Sequence, residues 1–199
     1  MGRVLTDPFN TQDDAATPLD EDEKSDLVLS YITTRGELNE AEQAHIVDAE
    51  QWAFTRKRNV LDARFLDALH KRMLAGVWRW AGTHRRSAKT VGIDAYQIPT
   101  EMQRMFDDTR YWIDNGTYEH DEIGARFHHR LVWIHPYPNG NGRHARLATD
   151  LLLVSLGQQR FTWGRLSQQD ANETRQRYVH ALREADKHDF APLLRFVRS

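Results

Sequence analysis

A titratable imidazole and two arginines lie within twelve consecutive residues, from His135 to Arg146. Arg143 and Arg146 are three positions apart, so they share one face if the segment is helical. Two Asn-Gly pairs lie between the imidazole and the arginines. Such pairs favour tight turns with positive φ and can aim successive backbone N–H groups into one concavity that binds anions. The segment therefore predicts a base acting beside a bound polyanion such as a nucleoside triphosphate.

The elements around this segment are predicted to hold it at a junction between two helices. Pro136 and Pro138 push their preceding residues away from helical dihedrals, so the first helix should end at His135. A second helix is expected to begin near Arg143. Cations in a first helical turn oppose the helix dipole, and a bound anion would compensate for them. The alternative is a Pro/Gly turn between core helices whose arginines are solvated.

The segment 135–146, H-P-Y-P-N-G-N-G-R-H-A-R, resembles the motif of the Fic (Fido) family, H-P-[FY]-x-[DE]-G-N-G-R-x-x-R. Every specified position agrees except Asn139, which stands where the family has an acid. The resemblance runs from about Thr33 to about Val197 and is nearest to the small bacterial Fic proteins called mobile mystery protein B. It implies an all-α, Fic-fold helical bundle with a small β-hairpin flap.

The resemblance also implies an activity, protein adenylyltransfer, in which AMP moves from ATP–Mg²⁺ to a hydroxyl side chain of a target protein. His135 is expected to titrate near neutrality and would take the proton from that hydroxyl. Asn141 and Arg143 would hold the α- and β-phosphates, and Arg146 the γ-phosphate. The implied nucleotide- and phosphate-binding residues are Asn139, Gly140, Asn141, Gly142, Arg143, Arg146 and Tyr178.

Asn139 is also the position at which the resemblance implies a Mg²⁺ ligand. A neutral amide oxygen is a poorer ligand than a carboxylate for a hard cation. Metal binding is therefore expected to be weaker or water-mediated, or the activity differs from plain adenylyl transfer. Two alternatives stay open: another phosphate-group transferase on the same fold, kinase-like or moving a different nucleotide, and a non-catalytic nucleotide-binding module of a toxin–antitoxin-like pair. Candidate partners beyond the target are a second copy of the chain and an antitoxin-like protein.

Residues 33–39 resemble the inhibitory motif [ST]-x-x-x-E-[GN] that precedes the catalytic core in one class of Fic proteins. By that resemblance Glu37 would pair with Arg146 and block the γ-phosphate position. Leu38 departs from the final Gly/Asn of the motif. The alternative is that Glu37 is a solvated acid that precedes the next helix, predicted at 40–57.

That helix is expected to open on a capping box formed by Asn39 and Glu42. Further along, residues 90–98 are β-branched, aromatic and short, with Gly92 as a turn former, so they predict a two-stranded hairpin. The resemblance makes this hairpin the flap that docks a target segment by backbone pairing. The alternative is a hairpin that only covers the core. The flap residues singled out for docking are Thr90, Val91, Gly92 and Tyr96.

The bulk properties limit the function classes. The chain has 199 residues, which suits one domain at 27–199 after an acidic, flexible N-terminal tail at 1–26. The net charge of −2 makes nucleic acid an unlikely partner. Because no apolar run reaches membrane-spanning or signal-peptide character, a cytoplasmic protein without a membrane segment is expected.

Metal and thiol chemistry are not predicted beyond the Mg²⁺ of the nucleotide. The sequence has no cysteine, so disulfides and thiolate catalysis are excluded. His128, His129, His135 and His144 match no recognised zinc signature.

Overall fold

The structure, a computed structural model, describes residues 20–166 and 170–199. Within these residues it contains eight α-helices and no strand, which confirms the all-α class. The helices are α1 (Glu21–Ser25), α2 (Arg35–Phe54), α3 (Ala63–Leu74), α4 (Ile98–Asn115), α5 (His120–Ile134), α6 (Asn141–Ser155), α7 (Ala171–Asp186) and α8 (Ala191–Val197).

Helix α6 lies at the centre of the bundle. It packs against α5 and also contacts α2 and α3, and ten of its fifteen residues are buried. The larger core is formed by residues of the five helices α2 to α6, and a second core lies beneath α7 and α8. The second core includes Ala125 from α5 and Leu153 from α6. The α5–α6 junction, which carries the His135 segment, is therefore supported from both sides.

Helix α2 begins at Arg35, five residues before the predicted start. Its N-cap is Thr34, whose hydroxyl accepts a hydrogen bond from the N–H of Glu37 at 3.2 Å. The Glu37 carboxylate in turn accepts the Thr34 N–H at 2.9 Å, so these two residues form the capping box. The predicted box of Asn39 and Glu42 is wrong because Glu42 is buried inside the helix bundle.

Residues 20–26, predicted as the end of a flexible tail, pack onto the body of the protein. The indole Nε1 of Trp80 donates to the carbonyl of Glu23 at 3.1 Å, and the Arg79 N–H donates to the Asp26 carbonyl at 3.0 Å. The Glu23 carboxylate also forms an ion pair with Lys89. The structure therefore differs from the predicted tail at 20–26, and residues 1–19 lie outside the described residues. No helix in the described ranges is long and apolar enough to cross a membrane.

The segment predicted as a β-hairpin, residues 90–98, forms no strand. The chain bends repeatedly there and ends in a 3₁₀ turn at Ala95–Gln97. The physical reason lies in Arg85, whose guanidinium donates to the backbone carbonyls of Ser87 and Ile93. A side chain thus binds carbonyl groups that a hairpin would have used for pairing. The predicted hairpin is wrong, and the flap is a loop.

Candidate active site

His135 is the residue at which α5 ends, as the proline pattern predicted. Its φ of 53° and ψ of 60° place it in the left-handed region, which is rare and costly for a residue with a Cβ. Its N–H still bonds to the Leu131 carbonyl at 3.2 Å, and Pro136 prevents the helix from continuing. The left-handed turn redirects the chain and leaves the His135 side chain 8% exposed.

Burial lowers the pKa of His135 to about 4, and the positive charges of Arg85 and Lys89 lower it further. A hydrogen bond from the imidazole to the Val132 carbonyl opposes this shift. The sequence predicted a residue that titrates near neutrality, so this expectation is wrong. At pH 7 the ring is neutral and ready to accept a proton, although it is a weaker base than a free imidazole.

The turn after His135 is locked from inside by the side chain of Asn141. Its Oδ1 accepts the Tyr137 N–H at 2.9 Å, and its Nδ2 donates to the Tyr137 carbonyl at 2.7 Å. The Tyr137 hydroxyl donates to Asp67 at 2.8 Å. The Asn141 side chain, predicted to hold phosphate, is thus 2% exposed and occupied with the turn. Its backbone N–H belongs to the first turn of α6.

A buried histidine holds the next part of the turn. The Gly82 N–H donates to Nδ1 of His70 at 2.9 Å, so the proton of the neutral ring is on Nε2. That Nε2 lies 3.0 Å from the Asn139 carbonyl and donates to it. Burial keeps the pKa of His70 well below its ordinary value, which maintains this tautomer. No local sequence pattern marks His70 as part of the site.

The N-terminus of α6 has the character of an anion site. Gly140 is the N-cap with a φ of 78°, and no side chain caps the helix. The N–H groups of Asn141, Gly142 and Arg143 belong to the first turn, where a helix supplies no carbonyl partner. A Cβ added at Gly142 would meet nothing within 4 Å. Backbone donors and the positive end of the helix dipole therefore meet open space at this point.

Arg143, the first arginine of the motif, is ion-paired with a residue that the sequence analysis did not assign to the site. Its Nη1 lies 2.7 Å from Oε2 of Glu42 on α2. Oε1 of Glu42 accepts the indole N–H of Trp78 at 2.7 Å, and the carboxylate side chain is only 4% exposed. No local signal marks Glu42, since 101 residues separate it from Arg143.

Arg146, the second arginine, lies beside Tyr178 from α7. Its guanidinium carbon is 5.1 Å from the centre of the Tyr178 ring. The Tyr178 hydroxyl is 2.8 Å from Nε2 of His128, and burial raises the pKa of this phenol. Among the described residues, Nε of Arg146 is buried without a hydrogen-bond partner. Tyr178, which packs against the second core from α7, thus lies beside the second arginine of the motif.

Glu37 does not contact Arg146 in this structure. Its Oε2 accepts the backbone N–H groups of Thr33 and Thr34 at 2.8 and 2.9 Å, and these bonds lower the pKa of its carboxyl group. The side chain is therefore committed to the cap of α2. The inhibitory pairing of Glu37 with Arg146 stays a prediction, since it would require Glu37 to leave these bonds.

The side chain of Asn139, the position at which a Mg²⁺ ligand is predicted, is used within the turn. Its Oδ1 accepts the N–H of Gly140 at 2.6 Å, and the amide carries no charge. Within residues 20–166 and 170–199, no group of three or more His, Cys, Asp or Glu side chains could hold a metal ion. The donors present therefore do not fit Mg²⁺ as a protein-bound ion.

The flap residues lie directly against the turn. Gly92 has a φ of 99°, and a Cβ added there would lie 2.5 Å from the Cβ of His135. Its neighbours project outward, with Val91 48% and Tyr96 79% exposed, and Thr90 is exposed as well. The loop thus packs against His135 at Gly92 and exposes the side chains of Val91 and Tyr96.

Solved structures share this fold. The N-terminal Fic domain of a VirB-translocated effector protein from Bartonella quintana superposes with a TM-score of 0.69 at 17% identity, covering 84% of each chain. BepC from Bartonella tribocorum, with bound AMPPNP, gives 0.68 at 18% identity over 90% of this chain and 97% of that one. Residues 60–153 match the model of the Fic/DOC family.

Residues 60–153 are thus similar to the Fic/DOC family.

The matched residues run from before α3 to the last turn of α6 and include the complete motif at 135–146. Curated relatives are also similar. Two of them, each named protein adenylyltransferase Fic, come from Nematostella vectensis and Drosophila melanogaster, and each is 29% identical over 133 residues. The match covers 65% of this chain but 30% and 26% of those proteins. The chain thus spans less than a third of their length.

Proposed function

We propose that this chain is a protein adenylyltransferase that moves AMP from ATP to a hydroxyl side chain of a target protein. The observation that carries the proposal is the junction of α5 and α6. There a neutral, buried His135 is followed within six residues by an uncapped helix N-terminus. The name shared by the curated relatives supports the same activity.

In this proposal His135 accepts the proton of a target Ser, Thr or Tyr hydroxyl. The hydroxyl oxygen forms a bond to the α-phosphorus of ATP, the bond between that phosphorus and the bridging oxygen breaks, and pyrophosphate leaves. The N–H groups of Gly142 and Arg143 stabilise charge on the phosphoryl oxygens. Arg146, aligned by the Tyr178 ring, binds the terminal phosphate.

Mg²⁺ is proposed to enter with the ATP phosphates rather than to wait on the protein. Asn139 supplies one neutral oxygen that is already used by Gly140, so no step is assigned to a protein-held metal. The neutral Asn139 distinguishes this chain from Fic proteins that have an acidic residue at this position of the motif. We also propose that the chain is related most nearly to the mobile mystery protein B type. We propose that it acts in the cytoplasm, where ATP is available.

We propose that Glu42, and not Glu37, is the carboxylate that hinders ATP binding at this site. A carboxylate paired with a phosphate-binding arginine competes with phosphate for the same donors. Glu42 is in such a pair with Arg143, whereas Glu37 would first have to leave the cap of α2. The negative charge of the Glu42 carboxylate would therefore repel the phosphates of ATP and weaken its binding.

The target protein is proposed to dock on the exposed side chains of the flap. Val91 and Tyr96 are accessible on the loop that packs against His135 at Gly92, so an apolar segment that flanks the modified hydroxyl would bury them. A second copy of the chain or an antitoxin-like protein could cover the same surface.

The test is incubation of the purified chain with Mg²⁺ and ATP labelled on the α-phosphorus, in the presence of a cell lysate as a source of targets. Label that stays on protein after denaturation, adds the mass of one AMP and disappears in His135→Ala is expected. ATP labelled on the γ-phosphorus is the matched control, since label from it would mean kinase-like transfer. ATP binding with no label from either position would contradict the proposal and favour a nucleotide-binding module.

A further inference from the structure

We propose that Arg85 is a positioning residue for His135, holding the backbone at the end of α5 and the flap in one arrangement. This inference rests on the proposed function for its catalytic consequence, but the contacts that carry it are independent of any ligand. Arg85 precedes the flap in sequence and is 3% exposed. Nothing in the motif itself points to it.

On one side Arg85 binds three consecutive carbonyl groups at the end of α5. Its Nε donates to the His135 carbonyl at 2.7 Å, and its Nη2 lies 3.4 Å from the Ile134 carbonyl. Its backbone N–H donates to the Pro136 carbonyl at 2.9 Å. Carbonyl groups at a helix end have no partner within the helix, so Arg85 satisfies them and fixes the direction of the turn.

On the other side the same guanidinium binds the flap and the segment before it. Nη1 donates to the Ser87 carbonyl at 2.9 Å, and Nη2 donates to the Ile93 carbonyl. One planar group thus joins four carbonyls from two separate segments. Only the fork of arginine, with five N–H donors in one plane, can do this, whereas a lysine ammonium has three donors at a single point.

As a consequence, more than one contact holds His135 in its left-handed conformation. A residue with a Cβ keeps a φ of 53° only where its surroundings enforce it, and Arg85 bonds the carbonyl of His135 and those on each side of it. Gly92 adds a second restraint, because the flap backbone packs so closely on His135 that a Cβ there would lie 2.5 Å away. The position of the imidazole therefore depends on where the flap sits.

The charge of Arg85 acts on the imidazole in the same direction as its geometry. Arg85 and Lys89 are the cations that face His135, and both lower its pKa. Asp94 and Glu23 are the acids whose charges reach Arg85, and Glu23 also pairs with Lys89. Removal of the guanidinium should thus displace the imidazole and make it easier to protonate.

The experiment compares Arg85→Gln and Arg85→Lys with Arg86→Gln, a control that removes an exposed arginine one position away. Three quantities are measured: the rate of label transfer from α-labelled ATP, the Kd for ATP and the thermal midpoint. Arg85→Gln is expected to lower the transfer rate by about 100-fold while the Kd for ATP changes by less than about threefold, because a misplaced base affects the reaction step alone. Arg85→Lys should fall between Arg85→Gln and the wild type, and Arg86→Gln should match the wild type.

A folded Arg85→Gln protein that transfers label at the wild-type rate would overturn the proposal. So would an equal loss of rate and ATP affinity, since that would mean general loss of the site. If no variant and no wild-type protein transfers label, the proposed function fails and the positioning is judged by NMR. Burial lowers the pKa of His135 to about 4 in the wild type, and NMR titration should show a higher pKa in Arg85→Gln. An unchanged titration and unchanged His135 shifts would reject the positioning by itself.

Discussion

Oε2 of Glu42 lies 2.7 Å from Nη1 of Arg143, so the first arginine of the motif, proposed to bind phosphate, is already paired with a carboxylate from another helix. The carboxylate is almost fully buried and its other oxygen accepts the Trp78 indole N–H. A pair of this kind can hold the arginine in place for phosphate, or it can compete with phosphate. The two roles predict opposite effects of removing the charge.

We predict that Glu42→Gln tightens ATP binding by about threefold to tenfold, because it removes a negative charge near the phosphates while the amide oxygen can still accept one hydrogen bond. Isothermal titration with ATP measures the effect. Glu40→Gln, a change of the same kind at an exposed position of α2, is the control and should leave the Kd unchanged. Weaker binding in Glu42→Gln would mean that the carboxylate positions Arg143 instead.

The second prediction concerns Glu37 and separates a cap from an inhibitor. Thr34→Ala should lower the free energy of unfolding by about 1 kcal/mol, the usual cost of losing an N-cap, and Glu37→Ala should also destabilise the protein. Both variants should transfer label from ATP at nearly the wild-type rate. Urea unfolding and the labelling assay provide the two measurements. A large rise in labelling by Glu37→Ala but not by Thr34→Ala would restore the inhibitory role.

Much of the site could be predicted from local sequence because local rules determine it. Pro136 and the Asn-Gly pairs end one helix and start the next within a few residues, and the structure ends α5 with His135 as its C-cap and gives Gly140 a positive φ. Tyr178 was reached only through the family resemblance, since it lies on a helix of the second core.

The rest depended on contacts between distant segments. The pairing of Glu42 with Arg143 spans 101 residues, and the buried bonds of Arg85 reach from the flap to the end of α5. The β-branched flap favours a hairpin by composition, but a guanidinium inserted among its carbonyls replaces strand pairing. The pKa of His135 likewise follows from burial, which a list of residue types does not give.

The third prediction is a loss of stability in mild acid. Burial is the main cause that lowers the pKa values of four histidines, to about 3 for His128, about 4 for His135 and His144, and well below the ordinary value for His70. Between pH 6.5 and about 4 the unfolded chain binds protons that the folded chain excludes. The contribution of these four histidines to the free energy of unfolding is thus fully present above pH 6.5. It falls as the pH drops below that value, by up to about 1.4 kcal/mol per pH unit for each histidine.

Urea unfolding at several pH values between 5.5 and 7 measures this slope, in a range where most carboxylates stay ionised. His144→Gln, in which the amide can still donate to the Leu66 carbonyl that Nε2 contacts at 3.0 Å, should reduce the slope by about one quarter. His180→Gln changes an exposed residue and should not alter it. A free energy of unfolding that stays constant from pH 7 to 5.5 would contradict the prediction.

The last prediction concerns the neutral residue in the motif. Asn139→Asp changes one side-chain atom, keeps an oxygen that can accept the Gly140 N–H, and adds the charged oxygen that a hard cation prefers. We expect the concentration of Mg²⁺ needed for half-maximal binding of a non-hydrolysable ATP analogue to fall by about tenfold, or about 1.4 kcal/mol. Asn139→Ala, which loses the oxygen altogether, should not lower it. Equal Mg²⁺ dependence in the wild type and Asn139→Asp would mean that this position does not face the metal, and that the chain binds its nucleotide in a different orientation from the one proposed.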